Sequence, residues 1–89
     1  MVFEKLTSLS PAEVLDRAEQ FFGERVPTRA AFPEQRSEHH LSLRGQGGEE
    51  IAIAVRPAEG ATRVRASTLL FDQQVDRFVS TLPASEHQP

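Results

Sequence analysis

The chain has 89 residues, room for one small domain. It contains no cysteine, tryptophan or tyrosine, which excludes disulfides, thiolate metal sites and cysteine nucleophiles. Its net charge of −3 offers no global attraction to nucleic acid or to an anionic membrane surface.

Charge is unevenly spread. Residues 1–26 carry five acids and three bases, residues 27–68 five acids and six bases, and residues 69–89 three acids and one base. All six bases of the middle segment are arginine, and Lys5 is the only lysine in the chain. Arginine-rich coding is one cause. Selection of the planar, bidentate guanidinium for an interface is the other. The opening "MVFEKLTSLS" lacks a basic start followed by an apolar core, so no secretory signal is expected. No apolar run approaches the ~20 residues of a membrane span. With no cysteine to oxidise, a reducing, cytoplasmic home is the expectation, peripheral to a membrane only through a partner.

The first helix begins at "SPAE". Ser10 is a good N-cap, Pro11 suits the first helical position, and Glu13 completes a capping box. Leu9 and Val14 have the spacing of a hydrophobic staple. Val14, Leu15, Ala18, Phe21 and Phe22 then form one apolar stripe at helical period. Gly23 is a plausible stop, and Pro27 ends any continuation.

From Ala30 to Leu70 the period changes to two. Leu41 and Leu43, then Ile51, Ile53 and Val55, then Val64, Ala66, Thr68 and Leu70 alternate with polar or small residues. These segments read as half-buried antiparallel strands. "TRAAFPEQR" before them reads as a further strand, and Pro33 suits an edge. Placing Leu43 opposite Ile51 leaves Gln46, Gly47 and Gly48 as a three-residue loop. Placing Val55 opposite Thr62 and Ile53 opposite Val64 leaves "PAEG" as a four-residue loop. A second helix follows, with Phe71, Val75, Phe78, Val79 and Leu82 on one stripe, Asp72 as cap and Pro83 beyond its end.

The expected fold is therefore α+β. A two-layer sandwich is predicted, with an antiparallel meander of three to four strands and both helices on one face, in the order α-β-β-β(-β)-α. Residues 1–83 form the single domain, and 84–89 are a polar tail expected to be loose.

Chemistry is sparse. His39 and His40 are neighbours on a predicted strand and point to opposite faces, so they cannot chelate one metal together. No cofactor or metal site is expected. The "GQGG" loop joins strand to strand, whereas phosphate-cradling loops lead into a helix, and Glu49 and Glu50 follow it. No carboxylate pair or nucleophile–base pair stands out, so an enzyme is not expected. What remains is the sheet face opposite the helices. It should display His40, Ser42, Arg44, Ala52, Ala54, Arg56, Arg63, Arg65, Ser67 and Leu69. The expected register sets Ala54 beside Arg63 and Ala52 beside Arg65, a small-residue floor fringed by arginine. This face is either a solvated surface on which Arg stems cover alanines or a docking surface for a protein partner. The candidate partner-binding set is Arg44, Arg56, Arg63, Arg65, Leu69, Ala52, Ala54 and His40. A small anionic ligand held by the same arginines is the alternative, and a homodimer through this face a third reading. In yet another, Val2, Phe3 and Leu6 fold over part of the face.

The α-β-β-β-α order resembles the double-stranded-RNA-binding domain, a family that binds through lysines at the start of its second helix and a loop histidine. The second helix here begins "FDQQVDRF", with Asp72 and Asp76 and no lysine, so no RNA binding is expected. The chain also resembles small uncharacterised bacterial proteins built around an "FF" helix, an "LRGQGGEE" hairpin and an "STLLFDQ" junction into a final helix ending "STLP". These are Phe21–Phe22, Leu43 to Glu50, Ser67 to Gln74 and Ser80 to Pro83. Soluble accessory subunits of similar size decorate bacterial photosynthetic reaction-centre–antenna complexes. That similarity implies a non-catalytic subunit docking on a larger, membrane-bound assembly.

Overall fold

The computed structural model describes residues 2–24, 31–45, 50–68 and 72–84. The elements are β1 (Val2–Thr7), α1 (Pro11–Glu24), β2 (Ala31–Arg36), β3 (His40–Gly45), β4 (Glu50–Ala58), β5 (Ala61–Thr68) and α2 (Asp72–Thr81). One five-stranded sheet runs in the order β1-β5-β4-β3-β2, with every neighbouring pair antiparallel. The protein is thus α+β, with β2 to β5 forming the expected meander.

Two features differ from the sequence expectation. The sheet has five strands, not three or four, and the chain opens with a strand, not a helix. This β-α-β-β-β-β-α order also departs from that of the RNA-binding domain it resembles. Val2, Phe3 and Leu6 do not fold over the sheet; they belong to β1, which pairs with β5 from Val2↔Ser67 to Thr7↔Thr62. The reason is legible afterwards. "VFEKLT" alternates Val2, Glu4 and Leu6 with Phe3, Lys5 and Thr7, so each face mixes apolar with polar or charged residues and no hydrophobic stripe appears.

Helix α1 starts as its capping box requires. The Ser10 N–H donates to Glu13 Oε1 at 3.0 Å, and the Glu13 N–H donates to Ser10 Oγ at 3.2 Å. These bonds, the Ser10 backbone N–H first, hold the Glu13 carboxyl below its ordinary pKa. Its predicted apolar stripe is buried throughout, and Leu9 packs against the same core. The helix continues one residue past Gly23.

Both helices lie on one face. Val14, Leu15, Ala18, Phe21 and Phe22 of α1 share a single buried cluster with Val75, Phe78 and Val79 of α2 and with Leu41, Leu43, Ile51, Ile53, Val55, Val64 and Ala66 of the sheet. Between the helices stand three rings. Phe21 and Phe22 meet edge-on at 5.2 Å, and Phe78 lies 5.6 and 5.5 Å from them.

The sheet edges are anchored differently. At β2 the register shifts between Pro33 and Gln35, which leaves Glu34 as an extra residue in a bulge, and Pro33 sits at the edge as expected. Arg36 reaches back to α1, with Nη2 2.8 Å from Asp16 and Nη1 on Glu19. At the other edge, Lys5 points to the helix side. Its ammonium donates to the carbonyls of Val79 at 3.3 Å and Leu82 at 2.6 Å. The last turn of α2 has no basic residue of its own, so a strand lysine satisfies its orphan carbonyls and the negative end of its dipole. The Thr7 hydroxyl donates to the Pro83 carbonyl at 2.6 Å, and Thr7 bridges to Ala84. Pro83 and Ala84, the latter expected in the loose tail, are therefore pinned to β1; residues 85–89 lie outside the described ones.

The register of β3 on β4 is the expected one, with Leu43 opposite Ile51, although Gln46 to Gly48 lie outside the described residues. That of β4 on β5 is not. Val55 faces Val64 and Ile53 faces Ala66, two residues from the expected pairing, and only Glu59 and Gly60 form the turn. Gly60 takes φ 72°, the left-handed value that a type II turn puts at its third position. A shift by two keeps every side chain on its face, so the periodicity argument could not detect it.

Two outcomes follow from these anchors. Lys5→Met keeps the apolar stem and loses both charge-assisted bonds, so it should destabilise the fold by about 2 kcal/mol in urea unfolding. Ser10→Ala should cost about 1 kcal/mol. Because the capping box lowers the folded pKa of Glu13 below 4.5, its contribution is present above that value and is lost as pH falls through the folded pKa. The penalty of Ser10→Ala should therefore shrink in acid, which chemical denaturation from neutral pH to strongly acidic pH would show.

Candidate docking face

With both helices on one side, the other side of the sheet is open. Opposite residues of an antiparallel pair share a face, so the register maps this surface directly. Arg56 lies opposite Arg63. Arg65 lies between Ala54 on β4 and Glu4 on β1, and His40 lies on the other side of Ala54. Ala52 has Ser42 and Ser67 as its neighbours. Arg44 faces Glu50 at the far end.

The expected set of residues is thus shared out unequally. Arg56, Arg63, Arg65 and Ala54 come together near the β4–β5 turn, with His40 alongside. The expected neighbours were wrong by the two-residue register shift: Arg65, not Arg63, flanks Ala54, and Ser67, not Arg65, flanks Ala52. Arg44 stands apart and is engaged within the chain. Its Nε and Nη2 donate to the two carboxylate oxygens of Glu34 at 2.5 and 3.0 Å, and Nη2 reaches Glu50 at 3.4 Å. The bonds from Arg44 hold the Glu34 carboxyl below its ordinary pKa, and those from Glu34 raise that of Arg44. All three groups are exposed, so the network adds little stability. Leu69 lies outside the described residues. His39 precedes β3 and is not part of it; its carbonyl accepts from the Val55 N–H at 2.9 Å. Among the described residues no three His, Asp or Glu side chains are grouped to hold a metal ion.

The three remaining arginines have no such engagement. Among the described residues, Arg56, Arg63 and Arg65 have no carboxylate within ion-pair distance. They line a shallow recess of about 230 Å³ together with Glu4, Ala54 and Val55. Three guanidinium groups and one carboxylate give it a formal charge of +2 (3 − 1), on a chain whose total is −3. Glu4 is the residue that sequence reasoning missed, because it arrives on the unrecognised strand β1. Val2, which is 48% exposed, and Leu6 share its side of the strand.

The recess brings like charges together. Like charges directly opposite on an antiparallel pair destabilise it, and Arg56 and Arg63 are so placed. No family model matches the chain, and neither a curated protein nor a solved structure matches it. The geometry is therefore what bears on function. No helix among the described residues is long and apolar enough to cross a membrane.

Replacing Arg56 with threonine, a good strand former, should raise stability by about 0.5 kcal/mol at low salt. The gain should fade toward ~1 M salt, where exposed charges are screened beyond ~3 Å. Thermal melts of both proteins at two salt concentrations measure this.

Proposed function

We propose that this protein is a non-catalytic interaction module, an accessory subunit that docks on an acidic surface of a larger protein assembly through its open sheet face. One observation carries the reading: three arginines gather on that face with no carboxylate partner among the described residues, two of them in direct opposition. A solvated face in which Arg stems cover alanines accounts for arginine beside Ala54. It does not account for a like-charged cross-strand pair kept at a cost in stability. An acidic partner does, because it supplies the missing carboxylates and is recognised by bidentate forks.

The edges support docking by the face. Strand addition needs a regular, unpaired edge, and β2 ends the sheet with Pro33 and a bulge. On β1, Lys5 is committed to α2, and Ala84 bridges Thr7. A symmetric homodimer centred on the arginines fits less well, since it would bring two positive recesses together. The recess itself favours a second reading, a small anionic ligand held by the same three arginines. Thermal-shift screening with organic acids separates the two, because a ligand that binds the folded state stabilises it saturably.

Arg63→Ala combined with Arg65→Ala tests the leading reading. Both side chains project from the sheet away from the core, so the double variant should keep its circular dichroism spectrum. Each truncation at a desolvated charge pair costs about 2–5 kcal/mol of binding, so the variant should lose its partner in an affinity pull-down. Co-purification at wild-type yield would contradict the reading.

A further inference from the structure

We propose that the recess formed by Glu4, Arg56, Arg63 and Arg65 is the anchor of this docking face, and that it takes a phosphomonoester dianion carried on a side chain of the partner. The inference rests on the docking reading above and names the group that docks.

Three observations select this chemistry. The first is convergence. Residues directly opposite on an antiparallel pair have Cα atoms about 4.5–5.5 Å apart, so Arg56 and Arg63 rise from adjacent roots. Arg65 is two residues along β5 from Arg63, about 6.8 Å away, and diagonal to Arg56. Three long side chains rooted this closely can meet at one point. The second is valence. Guanidinium forks bind oxygens in pairs. A carboxylate has two oxygens with about four acceptor sites in one plane, too few for three forks, whereas a phosphomonoester has three strong acceptor oxygens and can satisfy several forks together. Within this chain the single fork of Arg44 already spans both oxygens of Glu34, which leaves at most one acceptor site on each. The third is charge. The recess carries a formal +2, and a phosphomonoester carries about −1.5 to −2 near neutral pH.

Glu4 has a definite part in this geometry. It lies opposite Arg65 at the border of the recess. It subtracts one charge and opposes an incoming anion, so it limits affinity and disfavours anions bound by charge alone. Its removal should strengthen phosphate binding, an effect that a merely structural role for Glu4 would not produce.

The test uses the full chain and fluorescence anisotropy of labelled short peptides. One peptide carries phosphoserine, a second has glutamate at that position, and a third has serine. Inorganic phosphate and a small phosphomonoester serve as unlabelled competitors. The phosphopeptide should bind saturably, at least about tenfold tighter than the glutamate peptide, because the roughly four acceptor sites of a carboxylate cannot fill three forks. Glu4→Gln should tighten it by a few-fold, and Arg63→Lys with Arg65→Lys, which keeps charge but not the fork, should abolish the preference for phosphate over glutamate. Equal binding of the phosphoserine and glutamate peptides would overturn the inference, as would no binding at all. Equal affinity for free phosphomonoester and phosphopeptide would overturn the assignment to a partner-borne group. The docking reading is judged separately, by co-purification of the natural partner with the Arg63→Ala/Arg65→Ala variant. It survives if that variant loses the partner while the peptides fail to discriminate.

Discussion

The packing of Phe21, Phe22 and Phe78 at one seam is the constraint from which the rest of this structure follows. Two helices from opposite ends of the chain meet there, and each buries its apolar stripe on the same side of the sheet. Aromatic rings bury much area in a small contact, and a chain of this size has one small core for both helices to share. Once both helices are committed to one face, nothing in the described structure covers the other. The open face is therefore a consequence of how the core closes, and the arginines on it are exposed by the same event.

Lys5 plays a matching part at the edge. A charge pointing toward the helix layer is expensive unless it is satisfied. Here it meets the carbonyls at the end of α2, where helical geometry leaves acceptors without donors. The bond joins the first strand to the last helix, elements more than seventy residues apart. It also withdraws the chain's only lysine from the surface. Every cation offered by the open face is consequently an arginine, with the planar donor geometry that distinguishes phosphate and carboxylate recognition from simple charge attraction.

Charge on the open face is arranged as two unlike ends. At one end Arg44 is satisfied by Glu34 and Glu50, a network closed within the chain. At the other, Arg56, Arg63 and Arg65 share a recess with a single carboxylate. In composition the five arginines among the described residues 31–68 are indistinguishable. What separates them is position: Arg44 acquires a partner because the β2 bulge brings out Glu34, and Arg36 acquires two because α1 passes over it. The unengaged three are those that neither device reaches.

Local physics sufficed for much of this. The capping box at Ser10 and Glu13, the stripe of α1, that of α2 from Val75 to Leu82, the alternation of β3 to β5 and the edge position of Pro33 all depend on residues close in sequence, and all were legible there, while the expected Leu70 and Phe71 lie outside the described residues. The face occupied by each candidate arginine on β3 to β5 was legible too, because parity along a strand decides it. Register was not: a slip of two preserves parity, so the meeting of Arg56 with Arg63 emerges only from the short turn at Glu59–Gly60. Strand β1 was not legible either. Its apolar and charged residues occupy both faces, and it is held by β5 and α2, partners some sixty and seventy-five residues away whose effect no local window contains. The sequence by itself thus determined the helices, most of the strands and the sidedness of the sheet. Only the tertiary structure decided which charges are neighbours, because neighbours across strands are set by long-range pairing.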